Sequence, residues 1–197
     1  MFILGHVGIG SRLGAMIPRV KAAHAPGWLI LGTLLPDLVD KPLYYSLKLA
    51  TGRDGAELGL ISCTRTVGHS ALFALVVWLA LRALGRRAAA LSVLAGMATH
   101  WLLDLGGDVT GYAGRALGLT SAPAGFSSLR ALLFPLMGAR FAVSPFHSAR
   151  EHLTSLAQAY TVGGELIGGV LLVFAWLGWR RAQLARRNEA DGGQTAP

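Results

Sequence analysis

The residues of this chain that could do chemistry are histidines and aspartates placed in or beside apolar runs: His6, Asp37, Asp40, His69, His100 and Asp104. His100 and Asp104, in ATHWLLD, are one helical turn apart and share a face. An imidazole and a carboxylate so placed can ligate one divalent ion, or the carboxylate can orient the imidazole from behind. Asp37 and Asp40, in LLPDLVDKP, share a helical face, or flank a turn if Pro36 and Pro42 bend the chain. Pro36 is expected to loosen the end of its helix and deliver both carboxylates to one place. Such a nitrogen and carboxylate set suits zinc, or a harder ion such as manganese or iron(II). Ionised groups at membrane depth are costly, so a function is their default reading. The bland alternative is that Asp37 and Asp40 pair with Lys41 and Arg65 as structural salt bridges.

The elements that must position these groups are apolar. The chain has 197 residues, enough for one domain, and is 53% hydrophobic but only 14% charged, where soluble domains carry about a quarter. Its mean hydropathy is +0.50. We read an all-α integral membrane bundle of about four to five membrane-embedded helices, with a long loop before the last. The segments are 2–18, 28–39, 70–84, 88–105 and 162–179, the first two being short or glycine-rich for a full crossing. Threaded up and down, the starts of odd segments and the ends of even ones share a face. That places His6, Asp37, Asp40, His69, His100 and Asp104 at one end. The other end collects Arg19, Lys21, Arg82, Arg86, Arg87, Arg180, Arg181, Arg186 and Arg187. Short basic loops mark the cytoplasmic side, so the C-terminus is expected in the cytoplasm and the polar cluster toward the outer side. Residues 1–180 form the helical domain; 181–197 read as a basic polar tail, unstructured beyond about Asn188.

The formal net charge of +8 does not point to nucleic acid, because arginines at helix ends meet anionic lipid heads and no groove-reading motif accompanies them. The N-terminus lacks the basic stretch that opens a signal peptide and is expected to belong to the mature fold. One cysteine, Cys63, excludes an intrachain disulfide and a cysteine metal cluster. Ser70 follows His69 without a nucleophile elbow, which argues against serine catalysis. His24 reads as interfacial, and His147 and His152 as exposed loop residues. Glycines 5–10 and 163–169 read as helix-packing positions.

Taken in order, GHVGIG, LLPDLVDKP, RTVGHSALF and THWLLD, with LLFPLMG further on, resemble the YdjM-like family over roughly residues 1–140. These are membrane-bound metal-dependent hydrolases of bacteria and archaea, also described as LexA-binding and inner-membrane-associated. The motifs are also similar in kind to the His/Asp helical site of zinc-dependent phospholipase C. The resemblance implies a multi-pass protein of the cytoplasmic (inner) membrane with divalent metal on His6, Asp37, Asp40, His69, His100 and Asp104. It departs at Thr64, where many relatives carry a histidine.

The function expected on both grounds is metal-dependent hydrolysis at the bilayer surface, with membrane lipids as surroundings and a small or lipid-like phosphoester as substrate. Asp37, Asp40 or Asp104 would serve as general base. Lys41 and Arg65 would stabilise an anionic transition state. The alternatives are a metal-binding membrane protein without catalysis, a cation or proton transporter, and a structural or regulatory membrane protein. Transport would space the ionisable groups along the membrane normal; hydrolysis would gather them.

Overall fold

A computed structural model describes residues 3–23, 25–119, 127–138, 140–144, 150 and 159–192. Their regular structure is all helical, with no strand among them. A short N-terminal run comprises α1 (Ile3–Gly5), a π-helical turn (His6–Gly10) and α2 (Ser11–Ala15); α3 (Pro18–Ala23) follows. The long helices are α4 (Pro26–Thr51), α6 (Arg87–Ala116) and α8 (Ala159–Gly192). Between them lie α5 (Ala71–Ala83) and the short α7 (Ser127–Leu132).

Two of these, α6 and α8, are long and apolar enough to cross a membrane, fewer than the four to five embedded helices the composition predicts. α5 has 13 residues and rises only about 20 Å, short of the roughly 30 Å hydrocarbon core. α4 has the length but carries Asp37, Asp40, Lys41 and Lys48 from its middle onward. Pro36 and Pro42 do not end it; both are accommodated inside one continuous helix. The fourth segment likewise does not stop at Leu105, since α6 runs through Gly106 and Gly107 to Ala116. α8 continues to Gly192 where an unstructured tail was expected from about Asn188; residues 193–197 lie outside those described.

Segment parity is kept. α4 and α6 run in the same direction and cross at glycine: a Cβ on Gly32 would lie 2.3 Å from the Val93 carbonyl oxygen, and one on Gly96 2.4 Å from that of Leu29. Only backbone-on-backbone contact allows this approach. The N-terminal run lies against both, antiparallel, and is tied to α8 by Glu165. That carboxylate accepts from the Leu4 and Gly5 amides at 3.0 Å each, which are the unsatisfied N–H groups of a helix start. Tyr160, at the beginning of α8, donates to the Leu103 carbonyl at 2.6 Å.

The core is divided by polarity. Toward the start of α4 and α6 it is apolar, with Leu29 packed on Val20 and Ala95, and Met97 on Ala74 and Val93. At that same end Arg86 stands over Trp28, Arg82 over Trp78 and Arg180 over Trp176 at 5.8, 5.4 and 4.9 Å. Toward the other end the buried polar side chains gather, His6, Thr33, Asp40, Thr66, His69, His100 and Asp104, beside a smaller apolar cluster of Cys63, Ala131 and Phe141. The outward faces of α5 and α8 are apolar, with Leu75, Val76, Leu79, Val170, Val173 and Phe174 exposed.

Candidate metal centre

His100 and Asp104 sit one turn apart on α6, buried, as their spacing predicts. The glycine crossing brings α4 close enough for the His100 Nδ1–H to donate to the Thr33 carbonyl at 2.7 Å. A carbonyl only accepts, so the proton is on Nδ1 and the Nε2 lone pair faces the cluster.

His69 comes from a single 3-10 turn, Val67–His69, ahead of α5. Ser70 is the N-cap of that helix: its hydroxyl accepts from the Phe73 amide at 3.0 Å, the ordinary capping bond. The turn is wrapped around Asp40. That carboxylate accepts from the Thr66 amide (2.7 Å), the Thr66 hydroxyl (2.9 Å), the Gly68 amide (2.8 Å) and the His69 amide (3.2 Å). It also accepts from His69 Nδ1 at 2.7 Å. Both oxygens of Asp40 are thereby occupied by protein donors. Expected among the ligands, it stands behind His69 and orients it, the usual partner of a ligating histidine.

With Nδ1–H of each ring spent in this way, His69 Nε2 and His100 Nε2 face each other at 3.2 Å. Two lone pairs at that separation attract only through a cation, a proton or a metal ion. Asp104 Oδ2 completes a triangle, 3.5 Å from His69 Nε2 and 3.6 Å from His100 Nε2. Ligands about 2.0–2.2 Å from a tetrahedral ion stand roughly 3.3 Å from one another, so the three atoms fit the edges of such a site. His6 lies stacked on His100, ring centroids 3.9 Å apart, with Nε2 3.4 Å from Asp104 Oδ1. His6 Nδ1 has no hydrogen-bond partner, and Nε2 meets only Asp104 at that long, poorly aligned distance, although the ring is 1% exposed. An unpartnered buried polar group costs about 1–3 kcal/mol, a cost that metal ligation removes. Asp37 reaches the cluster from α4, its Oδ1 3.7 Å from His69 Nε2. Two groups can therefore hold an ion: His6, His100 and Asp104, and Asp37, His69 and His100.

Cations close the open side. Lys41 pairs with Asp37 Oδ2 one turn along α4. Arg65 binds Asp104 Oδ2 through Nε and Asp108 Oδ1 through NH1, both at 3.0 Å, and donates to the Ser127 hydroxyl at 3.1 Å. The salt bridge foreseen between Asp37 and Lys41 is thus present, while Arg65 serves Asp104 and Asp108. Burial opposes charge on the His69 ring, but the carboxylates of Asp104 and Asp40 outweigh it and raise its pKa above the ordinary value. Burial pushes the Cys63 thiol up to about 11, so it stays protonated and is no thiolate ligand.

Sequence reasoning named the side chains that the fold gathers but missed the groups that orient them. Thr33 acts through its backbone, which no side-chain pattern signals. Asp108 continues the four-residue spacing of His100 and Asp104, a usable signal hidden by the glycine pair between them. His24, His147 and His152 lie outside the described residues. No protein-family model, curated protein or solved structure matches this chain.

Proposed function

We propose that this protein is a membrane-bound, metal-dependent hydrolase acting at the bilayer surface on a phosphoester or other lipid-like substrate. The observation that carries the reading is the convergence of buried histidine and aspartate side chains within ligating distance of one another, with His6 Nδ1 buried and unpartnered. His69, His100 and Asp104 would hold the ion, most readily zinc, with His6 and Asp37 completing its surroundings. An ion there supplies Lewis acidity toward a phosphoryl or acyl oxygen and lowers the pKa of water.

The chain's own residues do the rest. Asp40 fixes the tautomer and direction of His69. Asp37 has one oxygen on Lys41 and the other toward the site, with its side chain 14% exposed, and is the general base. Lys41 and Arg65, each 27% exposed at the side chain, meet the anionic oxygens of the substrate. The family resemblance of the His and Asp motifs supports the same reading. So does the arrangement of the ends: α6 and α8 are long and apolar enough to cross a membrane, the arginine–tryptophan pairs stand at one end, as an interfacial belt would, and the His/Asp cluster lies toward the other. A transporter would space ionisable groups from its different elements along the membrane normal; here His6, Asp37 and His69, from three separate elements, gather at His100 and Asp104.

His100→Ala is expected to abolish turnover of phosphoester and lipid substrates by the detergent-purified protein while leaving membrane insertion intact. Wild-type rates in that variant would sink the assignment.

A further inference from the structure

The two ion-binding groups have His100 in common, and the orientation of the three rings decides whether they serve one ion or two. The lone pair of an imidazole nitrogen lies in the plane of its ring, so an ion shared by two histidines must lie near both planes. His69 and His100 meet that condition. Their planes are inclined at 66° and cross within a few ångströms of the Nε2 atoms, which stand 3.2 Å apart. His6 and His100 do not meet it. Their rings are stacked, with centroids 3.9 Å apart and planes inclined by only 12°. Planes so nearly parallel meet far outside the pair, and an ion between the two Nε2 atoms would lie well out of at least one of them. Closeness of donor atoms is not convergence, and His6 requires an ion of its own.

Asp104 supplies the link. Its Oδ2 faces His69 Nε2 at 3.5 Å and His100 Nε2 at 3.6 Å, while its Oδ1 faces His6 Nε2 at 3.4 Å. All three separations are close to the roughly 3.3 Å between ligands on a tetrahedral ion. The His6 contact makes no hydrogen bond, yet it has the length of a coordination edge. A carboxylate with its oxygens divided in this way bridges two ions. Two-metal sites hold their ions roughly 3.5–4 Å apart, a spacing that the 3.9 Å ring stack matches.

We infer that the cluster is a binuclear metal centre, with one ion on His69, His100 and Asp104 Oδ2 and a second on His6 and Asp104 Oδ1. The first ion has three protein ligands and Asp37 beside it. The second has two among the described residues, so its other positions fall to water and substrate, as at a catalytic metal. It is the weaker of the two sites and the first to empty. A pair of ions can clamp the attacking and leaving oxygens of an in-line displacement, which favours a phosphoester among the substrates proposed above. The inference rests on the metal reading of the cluster and not on turnover.

The test uses full-length protein in detergent, stripped with chelator and titrated with manganese(II), with bound metal counted by elemental mass spectrometry and its environment read by frozen-solution EPR. The wild type should take up two ions per chain, the second more weakly, and show an exchange-coupled pair once both are bound. His6→Ala should keep one ion, with the resolved hyperfine pattern of isolated manganese(II). His6→Gln, which keeps more of the ring's volume, should behave in the same way and replaces the alanine variant if that one does not fold. A single ion in the saturated wild type would overturn the inference while leaving the metal reading intact. Two ions without coupling, or two coupled ions persisting in the His6 variants, would overturn it equally. A wild type that binds no ion would take the metal reading down with it.

Discussion

Asp40→Ala is expected to be among the most damaging single substitutions in the described fold. It removes the acceptor of the Thr66, Gly68 and His69 amides, the Thr66 hydroxyl and the His69 ring in one step. Every one of these donors is buried, and Asp40 itself is 0% exposed. Removing one partner of a buried, hydrogen-bonded pair costs about 3–5 kcal/mol, which corresponds to a fall in Tm of roughly 10 °C or more for a chain of this size. The second consequence is chemical, since His69 loses the bond that sets its tautomer and direction. Thermal unfolding in detergent, read beside metal affinity, separates this from a ligand mutation. His100→Ala should lose metal with a smaller change in Tm, whereas Asp40→Ala should lose both. A variant as stable as wild type would show that the 66–69 turn holds its shape without the carboxylate.

Gly96→Ala adds a single methyl group and is expected to act far beyond its size. The added carbon would meet the Leu29 carbonyl oxygen at 2.4 Å and the Thr33 amide nitrogen at 2.7 Å, both backbone atoms. Backbone cannot rotate out of the way as a side chain can, so α4 and α6 must part. Overpacking of this kind costs typically 1–3 kcal/mol. Parting the helices also draws the Thr33 carbonyl away from His100 Nδ1. Loss of such an outer partner typically lowers metal affinity about 10–100-fold. Gly27→Ala is the control on the facing helix α4, where an added Cβ meets nothing within 4 Å. Metal titration of both variants should show the loss only at Gly96; equal affinities would mean the crossing does not set the ring of His100.

Much of the site was legible because its logic is one of period and parity. The spacing of His100 and Asp104 survives intact on α6, and alternating segments bring His6, Asp37 and His69 to the same end. What escaped depends on contacts between distant stretches. Asp40 looked like Asp37, three residues away on the same helix. Only the path of the 66–69 turn, which closes around Asp40, makes one carboxylate an orienting group and leaves the other facing the site. Glu165 reads as a stray charge in a glycine-rich apolar run until it is seen capping Leu4 and Gly5. The number of membrane-embedded helices was set too high because short or interrupted apolar segments were counted as embedded: α5 and the N-terminal run are apolar but short, and α4 is long but charged. Pro36 and Pro42 argued for a break in α4 that the buried packing of Pro36 overrides.

The central claim is that the His/Asp cluster holds a divalent metal ion. Elemental mass spectrometry on detergent-purified protein tests it most directly, with wild type beside a His69→Ala/His100→Ala double variant. We predict stoichiometric metal, zinc foremost, in the wild type and its loss in the double variant with helical content retained. A wild type that stays metal-free after incubation with zinc, manganese and iron(II) would contradict the account and reduce the cluster to structural ion pairs.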